Sequence, residues 1–385
     1  MIRSLIASLF VSALLCACAQ EAPPEPPQPT FIAEGRPVSL SDWGQLGVGG
    51  GELVLGDAVT PYQLATGLFT DYAQKLRTVW IPAEAGPAGY DPEGAFDFPV
   101  GTVITKTFYY PRAAGGPGYV ARVDGDGMAH FDERRLDLEA VRLVETRVLV
   151  RREAGWEALP YIWNAEQTEA TLARAGGFVD MILVSEAGEE ALGYVVPNVN
   201  QCAGCHETDT TDGLGVRPIG PRARHMNTDF EYFDGVANQI DHWSEQGLLA
   251  DAPAAEAAPR NVAWRGELPL AGEALDRAAR AYLDINCSHC HSRTGPADTS
   301  GLYLEAHEPT GPHLGVCKLP IAAGRGTGNR RYDIVPGASE DSIFTYRLAS
   351  VEADVMMPEL GRALQHDEGV ALIAAWIDAM SGGCG

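Results

Sequence analysis

The sequence predicts a multidomain protein: an all-β, sandwich or jelly-roll-like domain over residues 31–197, followed by two mainly α-helical domains over 198–266 and 267–385. Three observations carry this expectation. Runs rich in β-branched and aromatic residues succeed one another up to about Asn198 without helical stretches between them. A Cys-x-x-Cys-His segment occurs twice, in Gln201-Cys202-Ala203-Gly204-Cys205-His206 and in Asn286-Cys287-Ser288-His289-Cys290-His291. Apolar residues recur at helical spacing on both sides of the second copy.

At the N-terminus, Arg3 and Ser4 precede a mostly apolar run over residues 5–15 that is too short to span a bilayer, so residues 1–17 read as a signal peptide. Leu15-Cys16-Ala17-Cys18 looks like a bacterial lipobox, with cleavage before Cys18 and lipid on that residue; an ordinary signal-peptidase site is the alternative. Residues 18–30 contain Pro23, Pro24, Pro26, Pro27 and Pro29, the composition of a tether. The expected location is the periplasm, anchored through Cys18 to a bacterial membrane, with the outer membrane favoured. The formal charge of −24 argues against nucleic acid as a partner, and against binding anionic lipid through a basic surface.

In the β-rich region, Thr102-Val103-Ile104-Thr105-Lys106-Thr107-Phe108-Tyr109-Tyr110 and residues 143–150 have strand composition. Ala154-Gly155 separates 148–152 from 156–159, and Ala187-Gly188 separates 179–184 from 192–196, which predicts two hairpins. The region holds one histidine, His130, and no cysteine, so it offers no His/Cys cluster for copper or zinc. Its aromatic residues, among them Tyr62, Trp80, Phe108 and Trp163, are more often core than ligand groove. It reads as a docking or positioning module.

Cys-x-x-Cys-His is the attachment signature of a c-type haem: the two sulfurs form thioethers to the porphyrin, and the next histidine ligates iron. The prediction is therefore two covalently bound haem c groups, on Cys202 and Cys205 and on Cys287 and Cys290, with His206 and His291 as proximal ligands. Paired zinc ligands usually lie closer together than the two copies here, and neither copy sits in the βαβ setting of a thioredoxin-like redox motif. Downstream of His206, Pro218-Ile219-Gly220-Pro221 is placed to offer a carbonyl to the other ring N–H of that histidine; a plain turn is equally compatible. An amphipathic stretch over 236–249 follows. Before Cys287, the residues Leu275, Ala278, Ala279, Tyr282 and Leu283 predict a helix, and Val370, Ile373, Trp376, Ile377 and Met380 predict another. If the signal removes Cys16, lipid takes Cys18 and haem takes four thiols, Cys317 and Cys384 remain, and an oxidising compartment favours a disulfide between them over two free buried thiols.

The last third, with helix, Cys-x-x-Cys-His, long loop, Met356-Met357-Pro358 and closing helix, resembles a class I cytochrome c, so both later domains are expected to be cytochrome c-type haem domains. That resemblance implies Met357, next to the proline, as the distal ligand of the second haem, with Met356 in reserve. Gly235-Val236-Ala237 leading to Trp243 echoes Gly369-Val370-Ala371 leading to Trp376, which makes Met226 the analogous distal ligand of the first; His225 and His242 are the alternatives. The whole layout, including Pro61-Tyr62-Gln63-Leu64, Phe98-Pro99-Val100-Gly101-Thr102, Pro197-Asn198-Val199-Asn200-Gln201-Cys202 and Tyr332-Asp333-Ile334-Val335-Pro336-Gly337, resembles bacterial diheme c-type cytochromes with no assigned substrate. It implies haem binding and single-electron transfer to a periplasmic redox protein. The alternatives are a peroxidase-like diheme enzyme with an open or labile site at the first haem, and a haem-bearing partner of a periplasmic dehydrogenase docked through the β-rich part. Enzymatic activity is left open.

Overall fold

The computed structural model describes residues 24–132, 134–210, 213–321 and 323–385; the expected signal peptide and Cys18 lie outside them. Nine strands position the site: β1 (Thr60–Tyr62), β2 (Gln74–Trp80), β3 (Val103–Pro111), β4 (Tyr119–Ala121), β5 (Val141–Arg152), β6 (Gly155–Trp163), β7 (Ala170–Leu172), β8 (Gly177–Ser185) and β9 (Gly188–Val196). The larger sheet has the order β7-β6-β5-β3-β2-β1 and is antiparallel throughout. The smaller has the order β9-β8-β4, with β4 parallel to β8.

Alternation along the strands gives the larger sheet two buried faces. Val103 and Tyr109 of β3, with Leu76, Val148 and Leu159, pack onto Leu46, Leu53 and Leu55, which belong to a four-stranded sheet that also holds Arg135–Asp137 and Phe131–Asp132. On the opposite face Ile104 joins Val79, Leu149 and Ala158 in a cluster with Cys202, Met226, Ile240 and Trp243. The register of β5 on β3 shifts between Leu143 and Glu145, and Val144 turns to a further cluster with Met181, Leu183 and Tyr194 of β8 and β9.

Six helices follow: α1 (Val199–His206), α2 (Ala223–Met226), α3 (Gln239–Glu245), α4 (Gly272–Asn286), α5 (Ile343–Ala349) and α6 (Asp367–Asp378). They correct the predicted fold class. The protein is mostly β, with 30% strand against 20% helix, and the two mainly α-helical domains expected over 198–385 are not found. In the first of these stretches, Glu207–Thr210 pairs with Gly213–Val216 and Asp229–Tyr232 with Gly235–Asn238. The residues expected as an amphipathic run from Val236 begin as a strand, because Gly235, at φ 128°, closes a tight turn and Asn238 caps α3 only afterwards by accepting the Ile240 N–H. In the second stretch α4 and α6 pack together through Leu275, Tyr282, Leu372, Ile373 and Trp376. Between α4 and α5 the described residues form only single 3₁₀ turns; Pro309, Pro312, Pro320 and repeated glycines from Gly311 to Gly328 deny that segment a helix.

The C-terminal part is tied back to the strands by polar contacts. The Asp71 carboxylate accepts the backbone N–H groups of Ala363 and Leu364, and Arg122 pairs with Asp367 and Glu368. At the far end the structure joins Cys317 to Cys384 in a disulfide, 67 residues apart in sequence. On the chain-entropy account a loop of that length contributes about 4 kcal/mol. Cys384→Ser is expected to lower the urea midpoint of the full chain accordingly, with wild type under reducing conditions falling to the same value. No helix among the described residues is long and apolar enough to cross a membrane.

Candidate functional site

The first motif is delivered by α1. Asn198 caps it by accepting the N–H groups of Asn200 and Gln201, while the Gln201 side chain accepts the Asn198 N–H, a reciprocal box that fixes where the helix begins. Cys202 and His206 are then four residues apart and on the same side of the helix. Cys202 is buried against the sheet, in the cluster that holds Ile104 and Met226. His206 Nδ1 lies 2.7 Å from the carbonyl oxygen of Arg217. A carbonyl only accepts, so Nδ1 carries the proton and Nε2 presents its lone pair. The acceptor is thus the residue before Pro218, not the Gly220-Pro221 carbonyl that the sequence suggested. Burial, then the Lys106 charge, lowers the His206 pKa to about 4, so the ring is neutral at pH 7 as a metal ligand must be.

The second motif is a single turn at the end of α4. The N–H groups of Cys290 and His291 both bond the Cys287 carbonyl, and Ser288 Oγ ties the turn back to the Asp284 carbonyl at 2.6 Å. A Cβ at position 295 would sit 2.4 Å from the Cys290 oxygen, so only glycine lets the following loop return and place the Ala297 N–H on that oxygen. His291 Nδ1 is 3.2 Å from Ser300 Oγ, whose own hydrogen goes to the Ala297 carbonyl at 2.6 Å. Ser300 therefore accepts from Nδ1–H, and Nε2 is again the free lone pair. Burial first, then His289, lowers the His291 pKa to about 4.

Beside this turn is a cavity of about 530 Å³. Cys287, Cys290, His291 and Met357 all line it, so residues up to seventy positions apart converge on one space. Its walls are mostly apolar, with Leu283, Leu304, Phe344 and Leu348; Lys318 and Arg347 also line it, each paired with a carboxylate of the same lining, Asp333 at 3.3 Å and Glu359 at 3.7 Å. The loop bearing Met357 is held by Arg362, which donates to the carbonyls of Met357, Ser350 and Arg347. Met356 is not among the lining residues; its N–H bonds the Glu352 carbonyl. Neither Ser300 nor Arg362 was visible as a supporting residue in the sequence, since each acts from a loop through a contact that has no spacing rule.

The two motifs adjoin. Gly204 and Cys205 line the same cavity, Cys290 Sγ is 3.5 Å from the Gly204 carbonyl, and the Thr294 carbonyl accepts from Thr208 Oγ1 and the Asp209 N–H. Cys205, His289 and Cys290 present a sulfur, a nitrogen and a sulfur all within 4.8 Å of one another. Cys290 and His289 together pull the Cys205 thiol well below its ordinary range, and His289 Nδ1 is a buried atom with no partner among the described residues.

The three residues considered as distal ligand at the first motif fall in different surroundings. Met226 is fully buried in the cluster that contains Cys202. His225 has Nε2 3.7 Å from Asp284 and Nδ1 3.4 Å from Asn261, and burial lowers its pKa to about 4 against the pull of Asp284. His242 is stacked on Tyr232, ring centroids 3.6 Å apart. None of the three lines the 530 Å³ cavity.

In comparisons, no family model, no curated protein and no solved structure matches the chain. The residues of the two motifs and their surroundings carry the functional argument from here.

Proposed function

We propose that the chain is a membrane-anchored periplasmic diheme c-type cytochrome that carries single electrons between redox partners. The observation that supports this most is the convergence of Cys287, Cys290, His291 and Met357 on one apolar cavity of about 530 Å³. The fit is chemical as well as spatial. The two thiols suit covalent attachment, a neutral imidazole and a thioether suit the two faces of iron, and mostly apolar walls suit a large macrocycle. Bound haem iron supplies one-electron chemistry, and a Met ligand favours its ferrous form.

The chain's own residues do the rest. Ser300 and the Arg217 carbonyl fix which nitrogen His291 and His206 present, and Leu283, Leu304 and Phe344 give the cavity apolar walls. Contact between the motifs would bring groups attached to them to adjoining positions, which would suit passage of an electron from one to the other. Excess carboxylate on the protein, with 52 Asp and Glu against 28 Lys and Arg, favours a basic docking partner. Met357→Ala is expected to abolish the long-wavelength Met–iron charge-transfer band of the oxidised protein and to lower the potential of one haem, measured by visible spectroscopy during redox titration. An unchanged band would assign the distal position to another residue.

A second reading rests on the Cys205, His289 and Cys290 donor set, which suits a thiophilic ion such as Zn²⁺. It uses one thiol from each pair and leaves Cys202, Cys287, His206 and His291 without a role, whereas the haem reading employs all six motif side chains. Elemental analysis with a haem-specific assay separates them: stoichiometric zinc without haem favours the ion, and iron matched by haem favours the cytochrome.

A further inference from the structure

The face of the large sheet that meets α1 carries an unusual row. Arg77 of β2 stands opposite Lys106 of β3, and Lys106 opposite Arg147 of β5, so three cations share one register line on one face. Like charges set directly across strand pairs repel. Lys75, Lys106 and Arg147 also crowd the Phe108 ring, at 5.8, 5.1 and 4.4 Å from its centre. Two carboxylates answer these four cations, and both are committed. Asp126 pairs with Arg77 and lies 3.7 Å from Lys75, while Glu145 is bidentate with Arg147 and accepts from the Tyr194 hydroxyl at 2.7 Å. Lys106 is half-buried, and its side-chain amine has no ion pair and no hydrogen bond among the described residues. Burial first, then the Arg147 charge, lowers the Lys106 pKa to about 7, and an anion seated beside it would hold it charged.

The place of the row indicates which anion. The adjacent line on the same face, Val79, Ile104 and Leu149, belongs to the cluster that buries Cys202, and the Lys106 charge acts on both Cys202 and His206. A group attached at Cys202 and Cys205 would lie next to this row, and a porphyrin carries carboxylates of its own.

We propose that Arg77, Lys106 and Arg147 form the carboxylate-binding site for the haem held at the first motif, with Lys106 taking the anion directly. This rests on the haem reading of that motif. Arg77 and Arg147, kept in place by Asp126 and Glu145, set the positive field around it, and Lys106 supplies the one cation not already neutralised. With haem held there, positive charge nearby would disfavour the ferric state and raise the potential.

The test uses the full-length, haem-loaded protein with Lys106→Met and Lys106→Arg. Haem content is measured first. A wild-type chain without covalent haem overturns the cytochrome reading itself, whereas two haems per chain keep it and let the site be judged alone. The potential of each haem is then followed by redox titration, with Met357→His used to mark the signal of the second haem. The expected result for Lys106→Met is a fall in the potential of the first haem with the second unmoved, and recovery in Lys106→Arg. A first-haem potential that does not move, or an equal fall at both haems, overturns the proposal. Inorganic phosphate that binds the haem-loaded wild type, and is lost in Lys106→Met, also overturns it by showing the site open to a free anion.

Discussion

Exchanging Cys287 and Cys290 for serine is expected to leave a chain with one covalent haem instead of two, and exchanging Cys202 and Cys205 as well to leave none. The measurement is haem absorbance per chain after denaturation, which removes non-covalent pigment. The prediction follows from the geometry of the second turn, where both thiols and the His291 ring border the same apolar space. It has a second consequence. With nothing attached, walls such as Leu283, Leu304 and Phe344 lose the atoms they pack against, and a void lined by apolar side chains is costly. The double serine chain is therefore expected to unfold at lower urea concentration than wild type in its C-terminal part, monitored by amide hydrogen exchange in α4 and α6. Retention of two haems would show that attachment occurs elsewhere.

The other large effect is expected from Asp126→Asn. Asp126 is 5% exposed and faces two buried cations, Arg77 and Lys75. Burial alone would raise its pKa, but the attraction of Arg77 and Lys75 prevails and holds it below the ordinary value of 3.8. Removing the charge strands both cations in the interior, which costs about 3–5 kcal/mol; the readout is the urea unfolding midpoint. The sign with pH is fixed by the same shift. A carboxyl whose folded pKa is depressed contributes stability above its unfolded value, near 3.8, and loses it as pH falls through the lower folded value. Wild type should lose more stability than Asp126→Asn on acidification through that window, and parallel curves for the two would refute the assignment.

Much of the β-rich part can be read from residues alone, because its signals are local. Both hairpins form, with Arg152 opposite Gly155 and Ser185 opposite Gly188, although the turns are Glu153-Ala154 and Glu186-Ala187, one residue earlier than the glycines suggested. The positive φ of Gly155 and Gly188 follows each turn instead of making it. Helix α4 is equally legible, since Leu275, Ala278, Ala279, Tyr282 and Leu283 are all buried on one face. The expected pair of α-helical domains fails for a different reason. The core under the first motif is supplied by Tyr62, Phe96, Phe98 and Ile104, about a hundred residues upstream, so no local window over 198–266 reveals what that segment packs against. Held on a sheet, it has no need of helices to build a core of its own. Among the site residues, the motif cysteines and histidines announce themselves by spacing. The Arg217 carbonyl and Ser300 do not, because a backbone oxygen or a loop hydroxyl is placed by the folded chain alone.

The closeness of Cys205 to Cys290 bears on the order of assembly. In an oxidising compartment, two thiols within 4.8 Å of one another are candidates for a disulfide, and forming it would consume one attachment point from each motif. Cys202, for its part, is 8% exposed once α1 lies on the sheet, out of reach of any enzyme that must bring a vinyl group to its sulfur. On the haem proposal, the order that avoids both outcomes has attachment on an open, reduced chain before α1 docks on the sheet. A fold that brings its two reactive turns together is one that must be completed late.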